Sequence, residues 1–337
     1  MANPQATAHV SRCEPPALAN GGFLLVDPDA FSDVDMIAAL NPTRCSPTNW
    51  GKDPAGLPAI VDLGRCDEWQ IAWLAAVLDA EHANRKHTPL MAAGIGAYID
   101  ASASLDALVE HIAGLLLVLP VNRHGNRSPG GALWRFFDPR VFAHLCWMLD
   151  SDTLDELVGP VSSWSFPWLD GWFRFDVKVR HADENRQAPV VLFEARAGEF
   201  RRIDAAVWAR AQRIASINRV VACLDNPEEL DWPQRVAIAS RIESALTAAE
   251  HRLHWRDRDD CVRYAEYAVR YGAAFLDHPK LVDCWARLET RAASMGWADV
   301  MALLTPDEHC ALSGCVTDGD GVAPDRPFKN HFSFDGT

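Results

Sequence analysis

The spacing of apolar and polar positions changes along the chain, and the changes mark out the elements. Residues 22–26 (GFLLV) and 58–63 (PAIVDL) are short strand-forming runs bounded by turn formers. Between them, residues 41–58 are rich in Pro, Gly, Asn and Thr and predict a loop. From residue 67 to 85 the period lengthens. Trp69, Ala72, Trp73, Ala76, Val77 and Ala80 recur at helical spacing, with Asp67 placed to cap the first turn. Residues 90–99 predict a strand, with Gly94 and Gly96 marking a bend. Ser104 opens a helix with Leu105, Leu108, Ile112 and Leu115 on one face, and Asp106 and Glu110 on the other. Residues 122–131 predict an exposed loop, 133–137 a strand and 139–149 a helix. Further strands are expected at 172–179 and 190–195, joined by the polar turn 181–187.

After Gly198 strand signals stop and amphipathic helices follow one another, over about 203–224, 233–253 and 258–276, and from Pro279 onward. A short last helix is expected over 298–304. The fold class expected is α+β: an N-terminal α/β lobe with a mixed sheet, then an all-helical C-terminal lobe. The expected division is a loose leader at 1–20, the α/β lobe at 21–199, the helical lobe at 200–312 and a disordered tail at 313–337.

Composition narrows the function classes. Apolar residues make up 49% of 337, enough for a large core. A formal net charge of −14 argues against broad nucleic-acid binding, which needs a surplus of Lys and Arg. The nine cysteines show no paired spacing, and Cys146, Cys223, Cys261 and Cys284 fall in apolar helical patterns. They are expected to be free thiols in a reducing compartment. The first twenty residues show no apolar signal core, and the longest apolar stretch, 112–121, is too short to span a bilayer. A cytoplasmic location with no membrane contact is therefore expected.

Catalytic signatures are weak. GxSxG, GxxxxGK[ST] and HExxH are absent. None of the twelve histidines has a convincing metal-ligand set, and His309 with Cys310 and Cys315 is better explained as a helix end with a surface thiol. No metal or cofactor is expected. His111, beside an apolar stripe, is better explained as a hydrogen-bonded structural histidine. The best enzymatic alternative is a metal-dependent nuclease using Asp176, Lys178 and Glu194, with Arg196 beside them on predicted strands. Charges alternating outward on a sheet explain the same residues more simply.

The segment ALWRFFDPRVFAHLCWML at 132–149 carries the most information. Asp138 is placed to cap a helix whose first residue is Pro139, and Arg135 and Arg140 flank the cap. Three charges at a strand–helix junction are expected to latch it, with direct partner contact the second possibility. The run Arg135, Phe136, Phe137, Asp138, Pro139, Arg140, Val141 resembles the hallmark of the bacterial type VI secretion effector chaperones, or adaptors. The upstream SLDALVEHIAGLLLV at 104–118, with Leu108 and His111 in register, is similar to that family's preceding helix. Gly159-Pro160-Val161, WSFPWLDGWF and, less strongly, YAEYAVRYGAAFLDHP at 264–279 extend the resemblance; the loop at 41–58 departs from it. The resemblance implies a cytoplasmic adaptor without catalysis. Its partners would be a secreted effector toxin and the spike protein of the secretion apparatus, onto which it loads the effector. A structural component of the secretion baseplate is a further alternative.

The 13 tryptophans supply candidate contact points. Trp164, Trp168 and Trp172 cluster in a segment punctuated by Pro and Gly. Trp50 and Trp232 sit in polar surroundings and are expected to be exposed. Aromatic anchors favour interfaces, and the competing reading is that they fill the seam between sheet and helices.

Overall fold

The structure is a computed structural model, and it describes residues 10–48, 56–121, 131–177, 201–224 and 230–313. The fold is α+β. A seven-stranded antiparallel sheet is built from β1 (Val10–Cys13), β2 (Phe23–Val26), β3 (Thr43–Arg44), β4 (Ala59–Asp62), β5 (Ile95–Asp100), β8 (Ser163–Trp168) and β9 (Gly171–Asp176). Their order is β1-β9-β8-β5-β2-β4-β3. A second, mixed sheet holds β6 (Leu117–Val121) between β7 (Ala132–Leu133), antiparallel, and β10 (Arg201–Asp204), parallel.

Period-two alternation decides what each face of the large sheet meets. Trp164, Phe166 and Trp168 of β8 point to α4 (Pro139–Met148): Phe142 stacks on Trp164 and meets Phe166 edge-on, both at 5.0 Å between ring centres. On the opposite face Trp172 joins a core with Leu24, Val26, Val61 and the Leu74 and Leu78 side chains of α2 (Glu68–Arg85). Helix α4 is buried from Phe142 to Met148, as expected of a helix apolar on nearly every side. It packs against β8, α6 (Ala205–Gln212), α7 (Ile214–Ala222) and α8 (Trp232–His251).

Those contacts move the domain boundary. The chain forms two compact units, 1–270 and 271–337, so the helices after residue 204 begin inside the first unit rather than opening a separate lobe near residue 200. Arg210 shows why. It forms a two-point ion pair with Glu243 of α8, donates to the Met148 carbonyl of α4 and lies over the Trp147 ring. The first unit also takes in α1 (Val34–Ala39), α3 (Leu105–Leu115), α5 (Ser151–Val158) and α9 (Arg258–Tyr271), the last ending at the boundary. In the second unit α10 (Ala273–Leu276), α11 (Pro279–Glu289) and α12 (Trp297–Met301) gather around Phe275, Trp285 and Trp297, and α13 (Pro306–Ser313) is tied to α11 by the Lys280–Glu308 ion pair.

Several expectations are corrected. Residues 10–20 are not a loose leader: β1 pairs with β9 in register Val10↔Phe175, and Leu18 is buried. The helix expected from Ser104 is present as Leu105–Leu115, but the apolar run from Leu117 onward is strand β6, which was not expected. The strand expected over 133–137 keeps only Ala132–Leu133 before the chain turns. The helix expected over 203–224 is strand β10 followed by two helices that meet at Arg213. The one expected over 258–276 breaks at Gly272, whose φ of 54° is left-handed. On α2 the stripe named from spacing divides: Trp73 and Val77 pack partly buried against the core beside Leu74 and Leu78, which the spacing did not name, while Trp69, Ala72, Ala76 and Ala80 are exposed. The strand and turn expected over 181–195, and the tail after residue 313, lie outside the described residues.

Candidate functional site

The junction between β7 and α4 is held by the charges that the sequence places there. Asp138 caps α4, its carboxylate accepting from the Arg140 backbone N–H at 2.9 Å, and Pro139 occupies the first turn. The same carboxylate receives the Arg140 guanidinium at two points, Nε at 3.0 Å and Nη2 at 2.7 Å. Arg140 Nη1 reaches the Leu90 carbonyl at 2.6 Å, which ties the start of α4 to the segment before β5. Burial opposes the guanidinium charge, but the paired carboxylate outweighs it and Arg140 titrates above its ordinary range. Arg135 does something different. It lies over the Phe137 ring and pairs with Asp27 at 3.4 Å, half exposed. Phe136 and Phe137 are buried against each other, and Phe136 also meets Trp134 edge-on. The latch reading of Asp138 and Arg140 is the one the geometry fits.

Gly96 explains how the turn lies so close to the sheet. A Cβ there would stand 2.5 Å from the Phe137 carbonyl oxygen. The glycine expected to mark a bend sits within β5 and admits the backbone of the latch. His111 is anchored as the apolar stripe suggests. Its Nε2–H donates to the Leu157 carbonyl at 3.1 Å, and burial lowers its pKa. Gly159, with φ 75°, is required beside it, because a Cβ would meet Nε2 at 2.3 Å.

Behind the latch runs a chain of buried hydrogen bonds that the sequence did not single out. The Trp147 indole N–H donates to His144 Nδ1 at 3.1 Å, which places the ring proton on Nε2. Nε2 then donates to Asn218 Oδ1 at 3.0 Å, and Asn218 Nδ2 donates to the Arg140 carbonyl at 3.0 Å. Every donor in the run has one acceptor, so α4 and α7 are fastened in a single register. Burial drives the His144 pKa down to about 4. The signal available in sequence was a polar residue at a core position of each helix, His144 and Asn218.

The candidate contact tryptophans are placed differently from expectation. Trp164, Trp168, Trp172 and Trp232 are each no more than 3% exposed, so they fill the seam and do not form a surface. Trp232 was expected to be exposed because its sequence neighbours are polar. At the first turn of α8 it instead packs against Trp168 at 5.7 Å and Phe173 at 5.2 Å. The WSFPW segment is strand β8, not an irregular run. At the tip of the β8–β9 hairpin Asp170 pairs with Arg235, whose side chain is 1% exposed and lies over Trp168 and Phe173, and with Arg12 of β1. Trp50 lies outside the described residues.

Of the nuclease residues, Asp176 is exposed and engaged by Arg174 at 2.6 Å. Lys178, Glu194 and Arg196 lie outside the described residues. Among the described residues no cluster of three or more His, Cys, Asp or Glu side chains is arranged to hold a metal ion. The eight described cysteines are free thiols, and burial lifts Cys45 to about 12. No helix among the described residues is long and apolar enough to cross a membrane. Compared with protein-family models, with curated proteins and with solved structures, the chain matches none.

Proposed function

We propose that the chain is an adaptor of type VI secretion. It binds an effector toxin and delivers it to the spike protein by protein–protein contact, without catalysis, in the cytoplasm. The observation that carries this reading is the latch. Five of the seven residues in the motif through which the sequence resembles the adaptor family have a distinct task at one junction: Asp138 caps, Arg140 clamps, Arg135 reaches Asp27, and Phe136 and Phe137 seal the turn. A motif spent on fixing a helix to a sheet suits a scaffold that must present rigid surfaces to two partners. The partner surfaces then lie outside the latch.

The test is affinity capture of the tagged full chain from a secretion-active native host, followed by reconstitution with purified candidates. Recovery of a toxin and a spike protein in one complex is the expected result. Recovery of neither, from cells shown to be secreting, overturns the proposal.

A further inference from the structure

Helix α2 is apolar on two sides. Its inner side packs Leu74 and Leu78 into the core, with Ile71, Trp73 and Val77 partly buried beside them. Its outer side carries Trp69, Ala72, Ala76, Ala80 and Ala83, all exposed, with Trp69 62% exposed. Trp69 is by far the largest of the exposed hydrophobic side chains among the described residues. An apolar row on the solvent side of a helix, opposite the row that packs into the core, is ordinarily covered by a second surface.

The order of these residues identifies what covers them. Successive spacings along the outer row are three, four, four and three residues, the same read in either direction from Ala76. Charge follows the same logic: Asp67 and Glu68 stand exposed at the start of the helix and Lys86 at its end. We infer that this face pairs with the same face of a second copy of the chain, the two α2 helices running antiparallel about a twofold axis at Ala76.

In that pairing Ala76 meets its own counterpart, Ala72 meets Ala80 and Trp69 lies over Ala83 of the second copy. The alanines allow the axes to approach to about 8 Å, the short end of helix packing distances. Each Trp69 fills the space that the small Ala83 leaves open, and an aromatic side chain of this size buries about 150–250 Å². Glu68 comes level with Lys86 of the second copy to within about 3 Å along the axis, on the same edge of the contact. Asp79, the other exposed charge on that edge, stands about 9 Å along the axis from its counterpart, where physiological salt screens the repulsion. A twofold interface demands that each residue's partner find its own partner in return. A different protein on this face would require neither the reversible spacing nor the opposed charges.

The experiment is light scattering and sedimentation on the full chain over a hundredfold range of concentration. A concentration-dependent monomer–dimer equilibrium is expected. Ala76→Arg, at an exposed position, should leave the circular dichroism and thermal unfolding of the monomer intact and abolish the dimer. Trp69→Ala should weaken dimerisation about tenfold or more. Glu68→Lys alone should weaken it, and Glu68→Lys with Lys86→Glu should restore it. A chain that stays monomeric throughout overturns the inference, as does a dimer indifferent to Ala76→Arg. A charge swap that fails to restore association overturns the antiparallel register.

Discussion

His144 makes the acid sensitivity of this fold calculable. It is fully buried between Asn218 and Trp147, with the Trp168 ring edge-on at 5.3 Å, and burial lowers its pKa from 6.5 to about 4. The unfolded chain therefore binds the imidazole proton at a pH where the folded chain refuses it. Stability from this group is complete above about pH 6.5 and is lost as the pH falls toward 4. The full loss is about 3 kcal/mol, and by pH 5 it has reached about 2 kcal/mol. The hydrogen bond with Asn218 and the charge of Glu243, itself held by Arg210, only partly offset the burial. Urea unfolding followed by tryptophan fluorescence at pH 7 and pH 5 measures the loss. His144→Gln supplies the control, since a carboxamide can accept from Trp147 and donate to Asn218 without titrating. The variant should lose about 2 kcal/mol less than the parent between the two pH values. Other titrating groups, His111 among them, contribute equally to both proteins and cancel. Equal losses in parent and variant would refute the reasoning.

Three further outcomes follow from the geometry. Arg140→Ala should cost about 2–3 kcal/mol, because Asp138 is left nearly buried without its cation, and Arg140→Lys should recover less than half of that in thermal unfolding. Gly96→Ala should destabilise by about 1–3 kcal/mol, as the added methyl drives the Phe137 carbonyl off the sheet; near-neutral calorimetry would show that the turn is not seated on β5. In thiol labelling of the native chain, Cys223, the exposed one among the eight described cysteines, should react ahead of Cys45 and Cys146, although burial raises its thiol too, and Cys45 and Cys146 should react only as the chain unfolds.

The helix starts were legible because the signals are local. Asp67 with Gln70, Ser104, Asp138 with Pro139, and Pro279 cap or open helices where their residue types require. Strand β8 was missed for a reason that is equally physical. Pro167 reads as punctuation, yet β5 pairs with β8 only over Ser163–Ser165, so Pro167 faces no strand on that side and its missing N–H costs no bond there. The pairings β1 with β9 and β6 with β10 join segments far apart in the chain, and no local pattern announces them. On α2 periodicity named Trp73 and Val77, which pack inward, together with Trp69 and three alanines, which do not, because apolar residues flank the core side of the helix. The latch was readable as a motif. The His144–Asn218 link behind it was not, since it pairs one isolated polar residue on each of two helices.

The strand order has a consequence for synthesis. β5 lies inside the finished sheet, flanked by β2 and by β8, which follows it by some sixty residues. As the chain leaves the ribosome, β2, β4 and β5 are complete while the outer edge of β5 still has no neighbour, and β1 has none until β9 is made. At typical elongation rates the interval until β8 is complete lasts roughly 3–14 s. During it the nascent chain offers an unpaired strand edge and the apolar surfaces that α4 will later cover, which is when it is most exposed to mispairing with its neighbours on the same message.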